Sequence, residues 1–285
     1  MPTVSDALHW AEQQLAQVGP DSPAAAKVDS QWLLGHVLGR NSAWLRAWPD
    51  ALVGEPQWQQ FQALIQRRLN GEPVAYLTGQ QGFWTLELQV TPETLVPRPD
   101  TERLVELALQ KVGPEPARVL DLGTGTGAIA LALASERPRW EITATDLEQP
   151  TLAVAQGNSE RLNLPITLLQ SHWFAALAGS RFDLIVSNPP YIAADDPHLL
   201  GPGVRSEPMR ALVSGSDGLD AIREIVRQAP GHLDAGGWLL LEHGWHQGEV
   251  VRALLLGRGF TGVATERDLG GNERVTLGQW NPGSL

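Results

Sequence analysis

Arg118-Val-Leu-Asp121-Leu-Gly123-Thr-Gly125-Thr-Gly127-Ala-Ile-Ala-Leu-Ala-Leu-Ala134 is the stretch that decides the fold. Apolar residues run into three glycines at every second position, and an alanine- and leucine-rich run with helical character follows. That order predicts a strand, a tight loop and a helix, the unit in which glycines let a backbone approach a ligand and a helix N-terminus presents free N–H groups. The spacing also fits G-x-G-x-x-A, so the loop alone leaves open a dinucleotide or another nucleoside cofactor.

The same alternation continues to the C-terminus. Short apolar runs at 118–122, 141–145, 166–169, 182–186 and 238–241 are separated mostly by helical patterns, which predicts a parallel sheet with helices on both faces. Two further runs, 261–266 and 274–280, are joined only by a short link around Asp268-Leu-Gly-Gly-Asn272 and predict an antiparallel hairpin. The fold class is therefore α/β, a seven-stranded Rossmann-like sheet ending in an antiparallel hairpin.

Upstream, the first 71 residues predict a small helical domain. Leu8, Ala11, Leu15 and Val18 recur at helical steps before Gly19-Pro20, and Ser22-Pro23 offers an N-cap to a helix with Ala25, Val28 and Trp32 on one face. Trp58, Phe61, Ile65 and Leu69 make another stripe. Five of the eleven Trp lie before residue 60, and the expectation is that they build this domain's core rather than a docking surface. Residues 72–99 read as a hairpin linker, in which Leu86, Leu88 and Val90 alternate and Pro92, Pro97 and Pro99 stiffen the chain. Asp100 is the expected cap of a helix carrying Leu104, Leu107 and Ala108, within a catalytic domain spanning 100–285.

Composition excludes several classes. With no Cys there is no thiolate chemistry and no sulfur-bound zinc, and no metal is expected. The formal charge of -11, with 5 basic against 7 acidic residues in 1–80 and 16 against 25 in the rest, disfavours a nucleic-acid partner. Met-Pro-Thr-Val-Ser-Asp carries no basic run before an apolar stretch, and the longest apolar run, 128–134, is far below the ~18 residues of a membrane span. A cytoplasmic monomer without membrane contact is the expectation.

Two features narrow the ligand. Asp146 ends the next strand, placed to accept both ribose hydroxyls, and Asp121 before the loop suits an ammonium group and repels a pyrophosphate. Downstream, Asn188-Pro189-Pro190-Tyr191 follows the 182–186 strand at the carboxyl edge of the sheet. An amide or aromatic-amine nitrogen is a poor nucleophile because its lone pair is delocalised. A catalyst should therefore hold both N–H hydrogens and aim the lone pair at a methyl group. Asn188 Oδ1 and the Pro189 carbonyl supply two acceptors, prolines keep them pre-aimed, and Tyr191 can stack on the planar group. The ligand read from these residues is S-adenosylmethionine, with S-adenosylhomocysteine as product, and the reaction is methyl transfer to a planar nitrogen.

Across essentially its whole length the chain resembles the peptide chain release factor glutamine N5-methyltransferases, the PrmC or HemK type. The resemblance rests on Glu72-Pro-Val-Ala-Tyr-Leu-Thr-Gly-Gln80, Val96-Pro-Arg-Pro-Asp-Thr-Glu102, the 121–127 loop, Asn188 to Tyr191, and Glu273-Arg-Val275. It implies a release factor as partner, with the glutamine of its Gly-Gly-Gln motif as substrate. It further implies that Gly123, Thr124, Gly125, Thr126 and Gly127 face the methionine end of the cofactor. Asp146 would face the ribose and Trp173 the adenine, while Asn188, Pro189, Pro190 and Tyr191 hold the glutamine amide. His172 departs from the family pattern, which has an acidic residue there. Arg98 and Thr101 are candidate pocket residues, Glu242-His243 a candidate site-shaping pair, and 195–216, with Arg205, Glu207 and Arg210, a candidate substrate clamp. The competing readings are a ribosomal-protein glutamine methyltransferase, an adenine-N6 nucleic-acid methyltransferase and a dinucleotide-dependent oxidoreductase.

Overall fold

The computed structural model describes residues 1–16, 23–201 and 204–283. Contacts divide the chain into two units, Met1–Gln80 with Leu200–Ser206, and Gln81–Leu199 with Glu207–Leu285. Val18, the Gly19-Pro20 stop and the Ser22 cap lie outside the described residues.

The first unit is built from α1 (Val4–Leu15), α2 (Pro23–Leu38), α3 (Ser42–Ala47), α4 (Glu55–Leu69) and α5 (Val74–Thr78). Thr3 and Asp6 form a reciprocal capping box on α1, and Asn41 caps α3 through Trp44 N–H at 2.9 Å. Its core gathers Ala7, Ala11, Leu33, Leu34, Leu45, Val53, Phe61, Ile65 and Leu77. Two expectations are corrected here. On α2 the buried face carries Ala26, Ser30, Leu33 and Leu34, while Val28 and Trp32 are 51% and 66% exposed. Apolar residues surround this helix, and packing selects the face with the adjacent leucines. Nor are all five tryptophans core: Trp10 and Trp58 meet edge-on at 4.9 Å at its margin with Trp44 nearby, whereas Trp48, like Trp32, is exposed.

The expected linker region is not all hairpin. Residues 74–78 form α5, which buries Ala75 and Leu77, and the two-stranded sheet is limited to β1 (Gln80–Phe83) and β2 (Leu86–Gln89). Asp100 does not cap the next helix either. Pro99 starts a 3₁₀ turn, Pro99–Thr101, that leads into α6 (Glu102–Lys111), and the Asp100 carboxylate pairs with Arg274 at 3.2 Å.

The second unit carries the seven-stranded sheet. Its strands are β3 (Arg118–Leu122), β4 (Glu141–Asp146), β5 (Thr167–Gln170), β6 (Phe182–Ser187), β7 (Leu233–Glu242), β8 (Phe260–Arg267) and β9 (Glu273–Trp280), in the order β5-β4-β3-β6-β7-β9-β8. Neighbours from β5 to β7 pair in parallel, and β9 is antiparallel to both β7 and β8. Both faces are covered, as the apolar strands require. Val119, Leu184, Val186 and Leu240 pack on one side with α6 and α7 (Ala128–Glu136). Leu120, Leu122, Ile185, Leu239 and Leu241 pack on the other with α9 (Asp220–Gln228) and α10 (Gly248–Arg258). α8 (Gln149–Leu162) follows β4. The chain moves outward from β3 to β5 and returns to β6 on the other side, so strand order reverses between β3 and β6. Ligands bind outside the carboxyl ends of the strands at such a reversal. No helix among the described residues is long and apolar enough to cross a membrane.

Candidate active site

The glycine loop leaves the carboxyl end of β3. Gly123, Gly125 and Gly127 have φ of 72°, 57° and 83°, a left-handed backbone that a side chain disfavours, which is why the loop needs glycine at these three positions. Neighbouring groups fix its shape. Gly123 and Thr124 N–H both donate to the Thr145 carbonyl at 2.9 Å, and Gly125 N–H donates to Asp146 Oδ2 at 3.0 Å. Asn158 of α8 donates to the Thr126 carbonyl at 3.0 Å and bonds both backbone groups of Gln89, tying the loop to β2. A lone asparagine in a helix carries no sequence signal for that role.

Above the loop lies a cavity whose walls include Gly123, Thr124, Gly125, Thr126, Asp146, Trp173, Asn188 and Pro190. Arg98, Thr101, His172 and Arg210 also line it. Of the expected site residues, Asp121, Gly127, Pro189 and Tyr191 are not on its walls. Gly127 is the N-cap of α7, and Pro189 is buried. Tyr191 packs against the second core and turns its hydroxyl toward Glu242 Oε1 at 3.4 Å. Burial, with the negative charge of Glu242, raises the phenol pKa, so Tyr191 is neutral and donates.

Asp121 sits beneath the loop with no exposure. Its Oδ2 accepts from Thr124 Oγ1 at 2.6 Å, while Oδ1 is buried with no hydrogen-bond partner among the described residues. Burial lifts its pKa from 3.8 to about 7, opposed by the Thr124 bond. Asp146 is also raised by burial, against the Gly125 and Glu148 N–H groups that hold its charge. An orphaned buried carboxylate oxygen under the loop and an anchored carboxylate at the end of β4 fit the ammonium and ribose of S-adenosylmethionine. Trp173 stands across from Gly123, 3.7 Å from where a Gly123 Cβ would lie, and holds φ of 49° with its carbonyl fixed by Ser171 Oγ at 2.8 Å. An indole in that position suits a purine face. His172, where the family pattern is acidic, is exposed at the cavity wall.

Asn188 completes the cavity from β6. Its Nδ2 donates to Thr101 Oγ1 at 3.1 Å, leaving Oδ1 without a partner among the described residues. Ser187 Oγ donates to the Leu122 carbonyl at 2.7 Å and locks the ends of β6 and β3 together. Arg98 both lines the cavity and pairs with the buried Glu207, which also accepts Val96 N–H at 3.1 Å. Arg210 pairs with Glu93 at 2.9 Å. Within the first unit Arg205 donates to the Asn70 carbonyl. His243 is buried and kept neutral by burial, with Nδ1 toward the Gly244 carbonyl and Nε2 toward Thr276 Oγ1 at 2.8 Å, a structural role. No group of three or more His, Asp or Glu among the described residues gathers to hold a metal.

Comparison with known proteins agrees with this layout. Residues 6–79 match the PrmC N-terminal domain and residues 101–199 the methyltransferase small domain. The chain is 59% identical to the release factor glutamine methyltransferase of Pseudomonas aeruginosa, over 92% of this chain and 95% of that protein. The chain belongs to the release factor glutamine methyltransferases. Its counterpart in Escherichia coli K12 is 50% identical over 95% of this chain and 98% of its own length. Among solved structures, a methyltransferase from Pyrococcus furiosus superimposes with a TM-score of 0.54 at 20% identity, covering 77% of this chain and 98% of that one. That likeness concerns the fold. The family's methyl donor is S-adenosylmethionine, which the Asp121, Asp146 and Trp173 arrangement fits.

Proposed function

We propose that this chain methylates the side-chain amide nitrogen, N5, of the glutamine in the Gly-Gly-Gln motif of a release factor. The observation that carries the reading is the Asn188 carboxamide, held by Thr101 on the same cavity wall system as the glycine loop, with Oδ1 left to accept. S-adenosylmethionine supplies an electrophilic methyl group when bound. Asp121 Oδ1 holds its ammonium, Asp146 its ribose hydroxyls and Trp173 its adenine.

The remaining task falls to Asn188 and Pro189. Asn188 Oδ1 and the Pro189 carbonyl each accept one N–H of the substrate amide, which fixes the nitrogen and turns its lone pair toward the methyl group. Proline has no N–H to compete for those hydrogens and its φ is fixed. Tyr191 buttresses the strand end through Glu242 and its own carbonyl, which accepts Gln247 Nε2 at 3.0 Å. The first unit, with exposed Trp32 and Trp48, is the proposed docking surface for the protein substrate. Mass spectrometry of a release factor incubated with the enzyme and S-adenosylmethionine tests the reading. One methyl on the Gly-Gly-Gln glutamine, absent when that glutamine is replaced, is the expected result. Asn188→Ala should lower kcat by about 10²-fold or more with cofactor affinity unchanged. A loss confined to cofactor affinity would refute the assignment.

A further inference from the structure

α8 carries a polar face that no step of the reaction uses. Thr151 and Asn158 stand seven residues apart, two helical turns, and so share one side of the helix, with Arg161 a turn further on. Thr151 Oγ1 donates to the Glu93 carbonyl at 3.0 Å. Asn158 Nδ2 donates to the Gln89 carbonyl at 2.9 Å, its Oδ1 accepts Gln89 N–H at 2.7 Å, and Arg161 donates to the Glu87 carbonyl. Residues 161, 158 and 151 thus meet 87, 89 and 93 in that order, so the chain from β2 to Glu93 runs antiparallel along α8 in one register. That seam ends at the cofactor cavity, whose walls include Glu93, Thr94, Leu95 and Thr151.

Asn158 is fully buried and is not one of the residues on those walls. A carboxamide has two hydrogens to give and one oxygen to accept with. Asn158 gives one hydrogen to the Gln89 carbonyl and the other to the Thr126 carbonyl at 3.0 Å, so both donors are spent on joining the wall segment to the glycine loop. The next residue back in that loop is Gly125, whose N–H holds Asp146 Oδ2 at 3.0 Å. We infer that Asn158 is a positioning residue for the cofactor: it fixes the 89–95 segment and the glycine loop in one register, and so sets the affinity for S-adenosylmethionine without touching it. The inference rests on the cofactor lying above the glycine loop and does not depend on which protein is methylated.

Asn158→Asp is the decisive substitution, because it keeps the shape and the acceptor for Gln89 N–H but turns oxygen toward the Gln89 and Thr126 carbonyls. Calorimetry should find affinity for S-adenosylmethionine lowered about 10-fold or more, since a misplacement of about 1 Å caused by a remote change is enough for such a loss. At saturating cofactor kcat should stay within about twofold of wild type, because Asn188 is untouched. Asn158→Ala carries the same expectations should the aspartate variant fail to fold. Thr151→Val, which removes the bond to Glu93, should also weaken binding, and Thr151→Ser should restore it. The second readout is amide hydrogen exchange in the protein without cofactor, which judges the seam separately from the placement of the cofactor. Exchange should quicken at 89–95 and at 124–127 together in the Asn158 variants. Affinity within twofold of wild type in the Asn158 variants, or faster exchange at 89–95 with the glycine loop still protected, would overturn the inference. An equal loss of affinity in Leu255→Ala, a core truncation on α10, would mark a general effect of lowered stability and would overturn it too.

Discussion

Asp121 couples cofactor binding to pH. In the free protein its carboxyl has a pKa of about 7, raised by burial, and its Oδ1 lacks a partner among the described residues. An ammonium placed against that oxygen favours the ionised form, so binding expels a proton wherever the free protein holds one. At pH 6 about one tenth of the molecules have Asp121 ionised and at pH 7 about half, from the same pKa. Affinity for S-adenosylmethionine should therefore fall about fivefold, roughly 1 kcal/mol, between pH 7 and pH 6. The window stops at pH 7 because the cofactor's own amine, with an ordinary pKa near ~8, begins to lose its proton above it. Isothermal titration calorimetry in two buffers of different ionisation enthalpy measures both quantities, and proton release should approach one per site at pH 6. Burial raises Asp146 too, so the slope is assigned by substitution. Asp121→Asn should bind more weakly at pH 7 and lose most of the pH dependence. An unchanged slope in Asp121→Asn, or no proton release from the wild type at pH 6, would refute the reasoning.

Other expectations follow from the same geometry. Trp173→Ala should weaken S-adenosylmethionine binding by about 10- to 100-fold through lost stacking, read by calorimetry, with kcat at saturating cofactor little altered. Gly125→Ala meets no atom within 4 Å but forces alanine to φ of 57°, costing about 1–2 kcal/mol of stability. Gly127→Ala carries the same backbone cost and adds a Cβ 3.1 Å from Leu131 Cδ1, so its Tm should fall further than that of Gly125→Ala. The folded pKa of Glu242 is raised from 4.5 to about 7, chiefly by burial. The wild type therefore loses stability as pH rises through that interval, by about 3 kcal/mol at most. Urea unfolding should find Glu242→Gln more stable than wild type at pH 8, with the gap much reduced at pH 5.

The parts of the fold that were legible in the sequence are those where local chemistry leaves few choices. Glycine at 123, 125 and 127 answers to positive φ, and the strands alternate between two buried faces, as Val119 and Leu120 do. Where choices were many, the pattern misled. α2 offers apolar residues on every side, and only the Leu33–Leu34 contact with α1 and α4 residues selects its buried face. Asp100 looks like a cap until Arg274, far along the chain, takes its carboxylate. The partner of the Tyr191 hydroxyl, Glu242 on β7, is one that no spacing rule announces.

The buried side-chain polar atoms without hydrogen-bond partners show where this protein carries its cost. Among the described residues they are Arg103 Nε, Arg137 Nε, Asp121 Oδ1 and Glu242 Oε2. Both arginines bond through their other guanidinium nitrogens, to Glu106 and Glu266 from Arg103 and to the Glu136 and Leu109 carbonyls from Arg137. The two carboxylates are fully enclosed, and each pays for burial with a pKa raised to about 7. They stand near the carboxyl ends of β3 and β7, one under the glycine loop and one against the Tyr191 hydroxyl. A core selected only for stability would replace both with apolar or amide side chains. The presence of Asp121 under the glycine loop, where the cofactor amine has to be held, is explained if it stores an acceptor for that task. Asp121 then acts on the cofactor directly, whereas Glu242 meets the Tyr191 hydroxyl at the end of β7 and holds the chain next to Asn188.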